Sequence, residues 1–188
     1  MSPVSSRVAK RLPLQVYTPA SGKVDVSRLP LNRKLQTDGP KFGPPHGPFY
    51  TSSLKRGGSD WLETAPRLGL GIGSEAAVFR VSPSAKILSI NPERNSEDIE
   101  PYLVGDSYGD PIVDWPRVSR DFDAIHVTHR PGSNSVLYGL DAESTAWFNT
   151  SMLALVDVYP VVSGKIKIAS PISFKSRLRR ALATEGLP

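Results

Sequence analysis

Alternation of apolar and polar positions marks most of the ordered part of this chain as short strands. Residues 12–18 (LPLQVYT) alternate well enough for a first strand. Residues 19–48 then lose all periodicity and are rich in Pro, Gly and Lys, ending in the rigid, turn-like GPPHGP. So long an irregular stretch in a compact chain is either functional or disordered. Phe49–Ser53 (FYTSS) reads as a short strand. Residues 58–65 carry a helix start, with Ser59 able to cap and Trp61 and Leu62 supplying an apolar face; Pro66 closes it, and GLGIG (69–73) is a connector. Glu75–Val81 and residues 86–90 alternate as two strands around a Ser-Pro-Ser turn. Residues 96–103 form a short acidic helix. A stronger helix spans 114–122, where Asp114 suits the N-cap, Pro116 an early helical position, and Trp115, Val118 and Phe122 recur at helical spacing. Residues 123–128 and 143–150 read as strands separated by a turn at Pro131 and Gly132. Leu153–Val162 and 165–168 pair through Ser163 and Gly164, and 174–184 form a basic helix.

The sum is about seven or eight strands and three or four short helices without regular alternation, which predicts an α+β fold with a largely antiparallel sheet. A chain of 188 residues with 39% hydrophobic residues suits one domain over 1–188, containing the irregular loop 19–48 and a basic C-terminal helix or tail over 171–188. The 18 prolines and 15 glycines explain why helices are few. No cysteine is present, which fits a reducing cytosol. No apolar run near the start resembles a signal peptide, and none approaches the roughly 20 residues of a membrane span, so the expected location is cytoplasmic, away from membranes.

Net charge is +5, with basic residues crowding both ends and acidic ones the middle. Basic proteins meet polyanions, although ordinary solubility accounts for the same number. The basic run from Lys175 to Arg180 offers weak, salt-sensitive nucleic-acid binding or simply a solvated helix face.

Dinucleotide-fingerprint, phosphate-loop, zinc and nucleophile-elbow patterns are absent. His126 alternates with Ile125 and Val127 and so faces away from them. That makes it solvent-facing, a satisfied core histidine, or an acid/base; His129 follows just after. Two segments carry candidate chemistry: FYTSS followed by GSDWL, and YGLDAESTAW over 138–147. Each sets small hydroxyl residues beside aromatics at a strand end, and the second adds a carboxylate, Glu143. Hydroxyls and strand-end amides can hold ribose and phosphate oxygens, and an aromatic face can stack on a planar ring. A fixed carboxylate in a dry site binds a sugar diol and favours a cation developing at the anomeric carbon. Equally, Glu143 could be a cap or an exposed charge.

This order of parts resembles the ADP-ribosyltransferase superfamily with the Arg/Ser/Glu motif set. Its members have an early strand with an arginine, a middle strand with a Ser-Thr-Ser type element and a late strand opened by the catalytic glutamate. Thr51-Ser52-Ser53 looks like the middle element and Glu143 like the glutamate. The TSS, GSDWL and YGLDAESTAW pattern also resembles bacterial and phage proteins. The superfamily resemblance implies a split, mostly antiparallel β-sheet core and NAD as substrate. It implies transfer of ADP-ribose to a macromolecular target, protein or nucleic acid, with no metal; the small size of the chain suggests, by analogy, a toxin or phage effector. It casts Thr51 and Ser52 as positioning NAD and the glutamate, with Ser53 beside them. Glu143 would hold the nicotinamide ribose, and Tyr50 or Trp61 would stack on nicotinamide or sit in the core. Residues 12–18 hold no arginine: Arg11 stands just before, and Gln15 or Tyr17 takes the family's position. Asp141, two residues before Glu143, is shorter than the Glu or Gln of arginine-modifying members, which argues against arginine as the acceptor. The competing expectation is a non-catalytic module that binds a host partner, a nucleotide or nucleic acid.

Overall fold

A computed structural model describes residues 12–94, 96–129, 131, 135–140 and 142–168. Among the described residues ten strands follow in chain order: β1 (Gln15–Tyr17), β2 (Phe49–Ser53), β3 (Glu75–Val81), β4 (Ile87–Ile90), β5 (Leu103–Gly105), β6 (Pro111–Val113), β7 (Ala124–Val127), β8 (Ser144–Trp147), β9 (Leu153–Val162) and β10 (Lys165–Ile166). Eight of them form one mixed sheet in the order β10-β9-β3-β1-β2-β8-β7-β4, and β5 and β6 make a separate ribbon. Every junction in the sheet is antiparallel except β4 with β7. The protein is therefore α+β and mostly sheet, with two short α-helices, α1 (Asp60–Thr64) and α2 (Trp115–Asp121), among the described residues.

The two strands that flank Ser-Pro-Ser form as expected but do not pair with each other. β3 pairs with β1 and β9, and β4 runs parallel to β7 at the far edge. Parallel strands need a crossover, supplied here by the segment from Ser96 through the β5–β6 ribbon to α2. Alternation assigns each strand its faces but does not name its neighbour, so this pairing is invisible locally. Nor does the sheet divide into two separate sheets. Its change of partner occurs within β2, where Phe49, Tyr50 and Thr51 pair with β8, while Ser52 and Ser53 pair with β1.

Three apolar clusters cover the sheet. Phe49, Phe79, Ala124 and Trp147 share one face, and the irregular segment folds over them with Leu29 buried in the same cluster. Residues 19–48 are thus neither free nor periodic: Leu35 N–H donates to the Phe148 carbonyl, and Lys41 exchanges two backbone bonds with Val113. Their hydrogen bonds go to distant strands, so no local pattern could announce them. Behind the sheet, α2 sets Trp115 and Val118 against Ile90, Ile125 and Val127, and α1 sets Leu62 against Val16 and Val78.

Helix ends follow their capping chemistry. Ser59 accepts from Leu62 N–H, and Asp114 from Arg117 N–H. Pro66 does not stop the chain's helical course. It opens a 3-10 turn (Ala65–Leu68), where its missing N–H costs nothing, and Gly69 at φ 72° ends that turn. The acidic segment is 3-10 (Ser96–Tyr102) rather than α, with Pro101 inside it. The expected basic helix over 174–184 lies outside the described residues.

Gly47 sets the entry into β2. Its φ is 95°, and a Cβ there would run into the Gln36 carbonyl oxygen. Gly47→Ala is expected to cost about 1–3 kcal/mol, read as a lower urea midpoint with unchanged slope.

Candidate functional site

At the end of the sheet where β1 begins, β2 ends and β8 begins, the face that is apolar further down turns polar. Register places Gln15 opposite Ser53, Thr51 opposite Thr145, and Thr145 opposite His126. These side chains therefore share one face with Phe49 and Trp147, and all five are buried. Buried polar groups persist when they satisfy one another, and here they do so in a single direction. Trp147, whose indole can only donate, gives Nε1–H to Thr51 Oγ1 at 2.8 Å. Thr51 passes its own proton to Gln15 Oε1 at 2.8 Å. Gln15 Nε2 donates to Ser53 Oγ at 3.2 Å, and Ser53 Oγ donates to Glu143 Oε1 at 2.8 Å. The chain ends on a carboxylate, the one group here that only accepts.

Glu143 lies immediately before β8 and is 2% exposed. Its Oε2 takes the Ser52 hydroxyl at 2.9 Å and the Ser53 backbone N–H at 2.8 Å. Its Oε1 also lies 3.3 Å from His126 Nδ1, which in turn lies 2.9 Å from Thr145 Oγ1. Burial lowers the His126 pKa below its ordinary value, opposed by Glu143 and reinforced by Lys55, just beyond β2. The imidazole is thereby held neutral at physiological pH.

No family model, curated protein or solved structure matches the chain. What the site can do follows from its own chemistry.

Of the expected residues, Ser52, Ser53 and Glu143 meet directly, and Thr51 joins them through Gln15. Thr51 does not touch the carboxylate; it orients the amide that orients Ser53. Gln15, rather than Tyr17, occupies the first-strand position in the cluster. Tyr17 instead packs on Phe49, ring centroids 5.0 Å apart, within the apolar part of the face. Tyr50 points to the opposite face because it is an even-numbered neighbour of Thr51. Its ring packs against the cluster around Trp115, its hydroxyl donates to the Pro45 carbonyl, and burial pushes its pKa upward. Tyr50 thus takes the core placement that the sequence also allowed. Trp61 is half-buried on α1 and takes no part in the hydrogen-bond chain. Arg11 and Asp141 lie outside the described residues.

His126 is buried at 7% exposure, so a solvent-facing placement is corrected. Alternation did mark it as leaving the Ile125–Val127 face. What it could not show is that this other face is covered too, and that Thr145 and Glu143 wait on it. Thr145 and Trp147 lay within the candidate segment 138–147, but no individual role was read for either from the sequence. No group of three or more His, Asp or Glu able to hold a metal occurs among the described residues, and no helix there is long and apolar enough to cross a membrane.

Proposed function

We propose that this protein is an ADP-ribosyltransferase-type enzyme that transfers ADP-ribose from NAD to a macromolecular target, a protein side chain or a nucleic-acid base. The observation that carries the proposal is the meeting of Ser52 and Glu143, remote in sequence, at 2.9 Å, with Gln15 of the first strand linked through Ser53. The mostly antiparallel sheet suits the core expected of that superfamily, although it is continuous rather than split. In the proposed reaction the Glu143 carboxylate binds the diol of the nicotinamide ribose. The bond from C1′ to the nicotinamide nitrogen breaks, and its electron pair leaves with neutral nicotinamide. The cation left on the sugar is stabilised by Glu143, whose fixed position means no reorganisation is needed as charge develops. An acceptor oxygen or nitrogen then attacks C1′ and loses its proton.

Gln15 is neutral where the superfamily has arginine. It therefore supplies orientation to Ser53 rather than charge to the pyrophosphate. The role of toxin or phage effector rests on analogy for a small basic chain of this kind. The competing role, a non-catalytic module, is favoured by the burial of Glu143 among internal donors. Labelled NAD incubated with lysate separates the two. The transferase predicts label on a macromolecule, lost in Glu143→Gln. A module predicts a stable complex, no nicotinamide release, and indifference to that substitution.

A further inference from the structure

An ionised carboxylate offers about four lone-pair positions. In Glu143 three are taken by the Ser52 hydroxyl, the Ser53 N–H and the Ser53 hydroxyl, at 2.8–2.9 Å. The fourth faces His126 Nδ1 at 3.3 Å, a longer contact than the three hydrogen bonds. A sugar hydroxyl can reach this carboxylate only by displacing a donor, and displacement is cheapest where the displaced donor has another acceptor. Among the described residues only His126 has one in place: Thr145 Oγ1 stands 2.9 Å from the same nitrogen.

Resting on the function proposed above, we infer that His126 and Thr145 form a gate on Glu143. In the free protein the Nδ1–H is shared between Thr145 and the carboxylate; when a ribose hydroxyl arrives it passes wholly to Thr145, and Oε1 is released to the sugar.

The placement of the proton follows from the neighbours. A bare Nδ1 would set its lone pair against a buried carboxylate oxygen, which cannot donate. Thr145 accommodates either arrangement, because a hydroxyl both donates and accepts. Glu143 therefore selects the Nδ1–H tautomer and leaves Nε2 with the lone pair. The charged groups bearing on the ring are Glu143, before β8, and Lys55, after β2; from β4 the register neighbour is Ser89, which is neutral. A neutral ring yields its bond easily. A protonated ring faces Glu143 as an ion pair and does not, because charge-assisted bonds are about twice as strong. Burial lowers the His126 pKa below 6.5, so the gate works at neutral pH and locks as pH falls through that lowered value. His126 and Thr145 are thus positioning residues, and their signature is in NAD binding rather than turnover.

The test uses the full chain with ring-labelled histidine, the His126 signals being assigned by their loss in His126→Asn. In free wild type near neutral pH, long-range nitrogen–proton spectra are expected to show the Nδ1–H tautomer, and Glu143→Gln is expected to shift it. Calorimetry with NAD is expected to give about tenfold weaker binding in Thr145→Val, where Nδ1–H has no refuge, and near wild-type binding in Thr145→Ser. Binding to wild type is expected to weaken on acidification, and His126→Asn to lose that dependence. An Nε2–H tautomer, or Thr145→Val binding NAD as tightly as wild type, overturns the gate and leaves the transferase proposal standing. A wild type with the Nδ1–H tautomer but no NAD binding overturns the transferase and, with it, the gate's ligand.

Discussion

Glu143→Gln is expected to cut transfer from NAD by about 100- to 1,000-fold while the protein remains folded. The amide is nearly isosteric with the carboxylate, and its geometry limits how it can sit. The Ser53 backbone N–H cannot turn, so the amide oxygen must take the Oε2 position that now receives that bond and the Ser52 hydroxyl. The amide NH₂ then lies where Oε1 was, facing Ser53 Oγ, which can rotate its proton away and accept instead. The fold survives because hydroxyls are reversible. The charge that stabilises the sugar cation is gone, and an NH₂ now faces the diol. Glu143→Ala is the harsher change. It strands the Ser53 N–H, and a buried donor without an acceptor costs roughly 1–3 kcal/mol. A drop in nicotinamide release matched by an unchanged unfolding midpoint in Glu143→Gln supports the proposed role. Undiminished release in that variant ends it.

Trp147→Ala is expected to be the most damaging core substitution near the site, costing about 3–5 kcal/mol. The indole is fully buried beside Phe49, Phe79 and Ala124, and it starts the proton chain that ends on Glu143. Trp147→Phe separates the two contributions. It keeps most of the apolar volume and removes the bond to Thr51, whose oxygen loses its donor. That change is expected to cost roughly 0.5–1.5 kcal/mol beyond the lost volume. It should also loosen Gln15 and Ser53, because each takes its orientation from the residue before it. Chemical denaturation measures the first effect and NAD affinity the second. A Trp147→Phe variant with wild-type affinity would mean that the chain is structural only.

Much of the strand content was legible because each strand carries its own two-residue period. FYTSS, EAAVFRV and the long segment from Leu153 announced themselves, as did the caps Ser59 and Asp114, whose chemistry acts within a few residues. The meeting of the hydroxyl element with Glu143 was an expectation from the order of the two segments, and the hydrogen bonds of Ser52 and Ser53 bring them together. The Gly-Pro-Lys-rich segment was not: its cover over Phe49 and Trp147 depends on distant partners that leave no periodic trace.

Alternation along the chain alone settled which side chains oppose each other across a strand, and hence that His126 leaves the face of Ile125 and Val127. Whether the face it enters is wet or closed was decided by folding, since β8 and β2 come to lie beside it from remote parts of the chain. Local periodicity is a property of consecutive residues; strand order and register arise from loop closure and burial across the whole molecule. That is why a carboxylate and three hydroxyls could be suspected from their order, while the histidine and threonine beside them became visible only once the strands were laid side by side.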